Sequence, residues 1–273
     1  MSATAPSISI PVITEPRGIS RLTGAISDTI AVTWRNLLAY IRVPQLLIFS
    51  TIQPVVFVLL FRYVFGGAIP IQGGDYVDYL MPGIFVQTVV FGALGAAVGL
   101  AADMHTGLIE RFRSLPMARS AVLAGRTTAD LIRNVFVVLL MGLVGFLVGF
   151  RIHTNVLSAL AAVALVVLFG YAFSWIFATV GLMVGDPETA QAAAFPVMAP
   201  LVFASTAFVP LNTMPGWLQT FAAHQPVSAT VDAARALLSG GETLTPVLKC
   251  LGWIAAILIV FAPIAVHRYR KVA

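Results

Sequence analysis

Six stretches of this chain, each about twenty residues or longer, are almost free of charge. They lie at about 45–65, 80–102, 131–150, 156–184, 191–210 and 247–266. A helix of that length crosses the roughly 30 Å hydrocarbon core of a bilayer. In that solvent every backbone N–H and C=O must be paired internally, which leaves helices and closed barrels. Runs this long and this continuous are helical in kind. The expected fold class is all-α: a polytopic membrane protein with six transmembrane helices. Only 10% of the residues are charged, against about 25% in a soluble domain, so a water-soluble reading fails.

An even number of spans puts both termini on one side, and the basic residues choose it. With the termini inside, twelve of the sixteen Lys and Arg are cytoplasmic, among them Arg17, Arg35, Arg111, Arg113, Arg126 and Arg270. Only Arg62, Arg151, Arg235 and Lys249 are left outside. Both termini are therefore expected in the cytoplasm. Residues 1–20 hold three prolines and many small polar side chains and read as a disordered cytoplasmic tail. They lack the continuous apolar core of a signal peptide. Over about 22–43, Ile26, Ile30, Trp34, Leu37, Leu38 and Ile41 fall at helical spacing. That pattern predicts an amphipathic helix lying along the inner leaflet.

Several function classes are excluded. The basic residues are scattered between apolar runs and form no basic face, so nucleic acid is not a partner. The mid-span polar residues Gln53, Gln87, Thr88, Ser174, Thr179, Ser205 and Thr206 are neutral, and Asp130 and Arg133 stand at the start of the third span. Ion-coupled carriers keep ionisable groups deeper. Most of the neutral ones read as helix–helix hydrogen bonds, a minority as a transport path. The aromatics Tyr171, Phe173, Trp175 and Phe177 read as packing before path. Gly95 to Gly99 and Gly145 to Gly149 are GxxxG spacings that bring helices close. None of the four histidines lies within a span, and His-Glu-x-x-His is absent, so no catalytic or metal site is expected. Cys250 reads as a small hydrophobe. Lys249 and Lys271 are the only lysines and neither fits a phosphate-binding loop. Energy for uphill movement must come from another polypeptide.

The charge that the spans lack is gathered in one loop, ADMHTGLIERFRSLPMARS. Thr106 is expected to cap a short helix that starts at Gly107, with Glu110 in its first turn and Pro116 at its end. Leu108, Ile109, Phe112 and Leu115 give it an apolar side; Glu110, Arg111 and Arg113 give it a charged one. Such a helix suits a groove on a soluble partner, while a basic loop lying on anionic lipid fits the same residues.

The run D-x-x-x-G-L-I-E-R-F-R-S-L-P-M-A-R-S at Asp103 to Ser120 resembles the coupling helix of type-2 ABC transporter permeases, in particular the daunorubicin-resistance-like group. So does M-P-x-W-L-Q-x-F-x-x-x-x-P-V-S followed by D-A-x-R-A-L, within residues 208–241. The resemblance covers nearly the whole chain past about residue 25. It departs where many members carry a Glu-Arg-Glu-type run and this chain has Asp103, Met104 and His105. It implies an N-terminal elbow helix, a cytoplasmic coupling helix, and short outer-face hairpin helices before the last span. It also implies a second permease subunit, identical or related, and separate ATP-binding subunits that hold ATP and magnesium. The expected partner-binding residues are Gly107, Leu108, Glu110, Arg111, Phe112, Arg113, Leu115 and Pro116. The expected outer gate is Met214, Pro215, Trp217, Leu218, Phe221 and Pro226. The implied activity is export of a hydrophobic or amphipathic compound, such as a drug, antibiotic or lipid, across a bacterial cell membrane. A glycan exporter and a non-transporting assembly protein are the alternatives.

Two smaller readings complete the sequence. Asp232 and Arg235 stand three apart and are expected to pair on a helix surface. In GDPETAQ, Thr189 is expected to cap the fifth span.

Overall fold

The computed structural model describes residues 19–42, 44–66, 75–108 and 119–272. The expected tail lies outside them, save its last two residues. Among the described residues the chain is helical with no strand. Helix α1 (Ile19–Arg42) is followed by α2 (Pro44–Leu59), which runs into a π-helical turn at Leu60–Phe65. Then come α3 (Tyr76–His105), α4 (Arg119–Val148), α5 (Val156–Val184) and α6 (Pro187–Phe203). A 3₁₀ turn at Leu211–Thr213 leads to α7 (Gly216–Ala223), α8 (Pro226–Ser239) and α9 (Leu244–Val272).

Helices α3, α4, α5 and α9 are each long and apolar enough to cross a membrane. Helix α3 is the centre. It packs along α5 and also touches α4, α6 and α8, and Leu80, Ile84, Val86, Val89, Val90 and Leu100 on it are fully buried. At the periphery α9 leaves Leu248, Ile259 and Val260 exposed, the surface expected toward lipid. In α5, Phe173, Trp175 and Phe177 are buried in packing contacts, as expected of those aromatics. Cys250 is buried with its thiol 3.3 Å from the Thr230 hydroxyl.

Two spans differ from expectation. The third was expected to begin near residue 131, but α4 begins twelve residues earlier. Asp130 and Arg133 therefore lie in the middle of a continuous helix, not at its start. The fifth was expected to reach residue 210, but α6 stops at Phe203. Pro196 and Pro200 remove two backbone donors near its end, and a helix that loses donors in this way breaks soon after.

Of the mid-span hydroxyls, Thr206 reaches across to Asp232 of α8 as expected, but four others do not. Thr88, Ser174, Thr179 and Ser205 each donate to a carbonyl three or four residues back in their own helix or its last turn. A hydroxyl in an apolar medium takes the nearest acceptor, and that is its own preceding turn.

Candidate functional site

Three features sit at the places where the sequence concentrates its polar residues. The first is the root of the charged loop. Gly107 has φ +68°, a left-handed conformation that favours glycine at a helix end. It closes α3, its N–H donating to the Met104 carbonyl. The expected Thr106 cap acts on backbone N–H groups that lie outside the described residues. The Thr106 hydroxyl donates backwards to the Ala102 carbonyl at 2.9 Å, which also accepts the Thr106 backbone N–H. Helical conformation resumes at Leu108. Of the expected partner-binding residues, Gly107 and Leu108 are placed; Glu110, Arg111, Phe112, Arg113, Leu115 and Pro116 lie outside the described residues.

Both ends of this loop are tied together. The Asp103 carboxylate, at the end of α3, accepts from Arg126 of α4 at 2.8 Å and stands 3.6 Å from Arg35 of α1. Asp103 thus faces inward. Helix α1 is held to α4 along the same side. Thr33 donates to the Gly125 carbonyl at 3.1 Å, and the Tyr40 hydroxyl to Asp130 Oδ1 at 3.1 Å. Ile26, Ile30, Trp34 and Ile41 on α1 remain exposed, so its apolar stripe faces away from the bundle. The acidic loop after α5 is capped by Asp186, not by Thr189. The Asp186 side chain accepts from the Thr189 hydroxyl at 2.7 Å and its backbone N–H at 2.8 Å. The hydroxyl bond is the larger of the causes that hold the Asp186 carboxyl below its ordinary range.

The second feature is a seam of guanidinium groups on glycines. A Cβ at Gly99 would lie 1.4 Å from Arg126 Nη2, and one at Gly92 would lie 2.7 Å from Arg133 Nη2. One at Gly95 would lie 3.1 Å from Arg133 Nη1. The Gly95-to-Gly99 spacing was expected to bring a helix close; it admits two arginine side chains instead. Arg133 donates to the Gly92 carbonyl and to Asn134 Oδ1. The other glycine pair also divides its roles: Gly145 faces the Met81 side chain, and Gly149 has φ +107° just past the end of α4.

The third feature is the end of the bundle opposite the charged loop. Residues 204–210 leave helical geometry, so their carbonyls need partners from elsewhere. Tyr76 donates to the Phe208 carbonyl and Tyr79 to the Thr206 carbonyl, each at 3.0 Å. Gln225 donates to the Leu201 carbonyl at 2.9 Å. Arg235 donates to the Thr206 carbonyl at 2.8 Å and to the Tyr79 carbonyl at 3.2 Å. Its guanidinium also lies 3.7 Å from the centre of the Tyr79 ring. The expected Asp232–Arg235 pair is present at 3.1 Å, but it is not a surface pair. Arg235 is largely buried, and Asp232 also accepts from the Thr206 hydroxyl at 2.8 Å. The backbone comes so near α3 that a Cβ at Gly83 would sit 2.2 Å from the Ala207 carbonyl oxygen.

The expected gate residues do not share one buried face. Met214 is buried, Leu218 and Pro226 are half-buried, and Pro215, Trp217 and Phe221 are exposed. Pro215 precedes α7 and Pro226 opens α8. Trp217, 75% exposed, presents a ring of the kind that settles at a membrane interface. Between the end of α4 and the start of α5, an apolar cavity of about 260 Å³ is lined by residues including Phe85, Leu143, Phe150, Val163 and Leu238.

The family model for the ABC-2 type transporter matches residues 27–238 of this chain. The chain is 35% identical over 247 residues to the daunorubicin resistance ABC transporter permease protein DrrB1 of Streptomyces coeruleorubidus, covering 90% of this chain and 87% of that protein. It is 31% identical over 248 residues to the probable doxorubicin resistance ABC transporter permease protein DrrC of Mycobacterium tuberculosis, covering 90% and 89%. With the putative transport permease ycf38 of Cyanophora paradoxa it shares 27% identity over 209 residues, covering 74% and 71%.

Proposed function

Because this chain belongs to the ABC-2 type transporter family, we propose that it is the membrane-spanning permease subunit of an ATP-driven exporter of a hydrophobic or amphipathic drug-like compound. The relatives named for daunorubicin and doxorubicin resistance support that cargo class. The chain itself supplies no phosphate-binding loop, so a separate ATP-binding subunit drives it. A second permease subunit, identical or related, completes the path. All six apolar stretches cross the membrane, α2 and α6 as the shorter spans, and both termini are cytoplasmic. Helix α1 is the elbow, its exposed Ile26, Ile30, Trp34 and Ile41 resting in the inner leaflet.

One observation carries the mechanism. The loop 106–118 is strung between α3 and α4, and Arg126 clamps its root through Asp103, with Arg35 of α1 beside it. A push on the loop is therefore delivered to three helices together. Glu110, Arg111, Phe112 and Arg113 make the contact with the ATP-binding subunit, and their role is mechanical. At the far end, residues 204–223 with α8 form the outer gate. ATP and magnesium are held by the partner, not by this chain.

The test is co-purification. The tagged chain is extracted in a mild detergent from cells that also express the neighbouring ATP-binding protein. That protein should copurify with the unaltered chain and be lost from Phe112→Ala. If the chain is recovered alone under conditions that preserve other membrane complexes, the exporter reading gives way to a non-transporting assembly role.

A further inference from the structure

Beside the glycine seam lie two adjoining cavities of about 290 and 270 Å³. They share Gly95, Val98 and Arg133 and make one slot between α3 and α4, with α1 over one end and α2 beside the other. Its polar inventory is unusual for a helix interior. Asp130 is 1% exposed; Oδ1 accepts from Tyr40, and Oδ2 has no partner among the described residues. Arg126 Nε and Asn36 Nδ2 also have none. Arg133 is 9% exposed, and no carboxylate of the described residues is paired with it. Its bonds go to a carbonyl and an amide oxygen, and its guanidinium stands 5.6 Å from the Tyr40 ring. The rest of the wall mixes apolar Pro54, Phe91, Leu94, Val98 and Val137 with the neutral polar Gln53, Thr88 and Gln191.

The depth of this slot is set by the two helices that hold it. Helix α3 has thirty residues and exceeds the roughly 30 Å core by several turns. Gly92 to Gly99 fall in its inner half, and Asp130 immediately precedes the apolar stretch of α4. The slot therefore spans the inner boundary between hydrocarbon and head groups. An unpaired guanidinium is costly at that depth. Water would satisfy the free donors and still leave Arg133 with no directly bonded anion among the described residues.

We propose that this slot holds the head group of an inner-leaflet phospholipid. Arg133, Arg126 Nε and Asn36 Nδ2 are donors and call for the anionic oxygens of a phosphodiester. The buried acceptor Asp130 Oδ2, without a partner among the described residues, calls for a hydroxyl or ammonium N–H on the same head group. Phosphatidylglycerol and phosphatidylethanolamine carry such a donor; phosphatidylcholine does not. The apolar part of the wall receives the start of an acyl chain. The lipid would be a fixed part of the inner end of the bundle, seated under α1 and against both arginines. The inference stands apart from the identity of the exported cargo.

The test uses the full chain with its ATP-binding partner, delipidated in mild detergent and offered dioleoyl-phosphatidylglycerol, -phosphatidylethanolamine or -phosphatidylcholine. Lipid retained per chain is counted by native mass spectrometry. Phosphatidylglycerol and phosphatidylethanolamine should be retained and phosphatidylcholine should not. Arg133→Gln should weaken retention by about tenfold or more, as loss of a charge-assisted phosphate contact does. Val98→Phe leaves every charge in place and fills the slot; it should abolish retention, and it carries the test independently of whether Arg133→Gln accumulates. Equal retention by both variants and the unaltered chain overturns the proposal, as does equal retention of phosphatidylcholine. Displacement of the lipid by millimolar inorganic phosphate also overturns it, and assigns the donors to free phosphate.

Discussion

Arg235→Met separates two accounts of the end of the bundle where α6 breaks. If Arg235 and Asp232 were an exposed pair on one helix, breaking it would cost about 0.3–0.5 kcal/mol. The structure gives Arg235 more to do. It donates to the Thr206 carbonyl at 2.8 Å and the Tyr79 carbonyl at 3.2 Å, and stacks on the Tyr79 ring at 3.7 Å. A hydrogen bond from a charged donor contributes about 1.5–3 kcal/mol. The ring contact adds about 0.5–2 kcal/mol. Not all of this is lost. Thr206 keeps the Tyr79 hydroxyl at 3.0 Å, and Asp232, whose side chain is 45% exposed, rehydrates. Methionine also retains much of the aliphatic packing. The expected net loss is about 3 kcal/mol, since neighbouring contributions do not add fully. Equilibrium unfolding of the purified protein in mixed micelles measures it, with Asp232→Asn as a companion that should lose well under half as much. A loss below about 0.5 kcal/mol for Arg235→Met would return the pair to the helix surface and refute the tie.

Three further outcomes are expected. Gly83→Ala forces a methyl group against the Ala207 backbone, which cannot rotate aside, and should cost about 1–3 kcal/mol or more; Gly142→Ala, with nothing within 4 Å, should be neutral in the same unfolding assay. The Asp186 cap should act above the ordinary carboxyl value of 3.8 and fade as pH falls through its lowered one, so Asp186→Asn should flatten the acid side of a stability-versus-pH profile. Glu110→Arg combined with Phe112→Ala should abolish export while leaving abundance and membrane insertion unchanged, which drug efflux and quantitative blotting of the same cells measure.

Much of this fold is legible because the bilayer restricts a chain to few forms. Runs without charge announce α3, α4, α5 and α9, and the Ile26-to-Ile41 periodicity announces α1. What the sequence withholds is what fills a space or answers a donor. A glycine at Gly95 or Gly99 says only that room has been left; that guanidinium groups occupy it depends on α4 starting twelve residues earlier than its apolar run. The Thr88, Ser174 and Thr179 hydroxyls look alike whether they reach across or back, and the backbone of their own helix is the nearer acceptor. Asp232 and Arg235 reveal their pairing by spacing, but Tyr79 lies more than 150 residues away, and local pattern carries no information over that distance. The candidate contact at Glu110 to Pro116 rests on its motif, and the clamp at its root was the part that no motif announced.

The break after Phe203 bears on the order in which the protein is made. Two groups that hold it, Tyr76 and Tyr79, enter the membrane long before it does. The others, Gln225, Asp232 and Arg235, are synthesised after it. Until α8 has docked, the Leu201 carbonyl lacks the Gln225 amide and the Thr206 carbonyl lacks the Arg235 guanidinium, in a setting with little water to replace them. That end of the bundle therefore closes late and as one unit, and a nascent chain halted short of residue 235 presents an unfinished surface that membrane quality control can recognise.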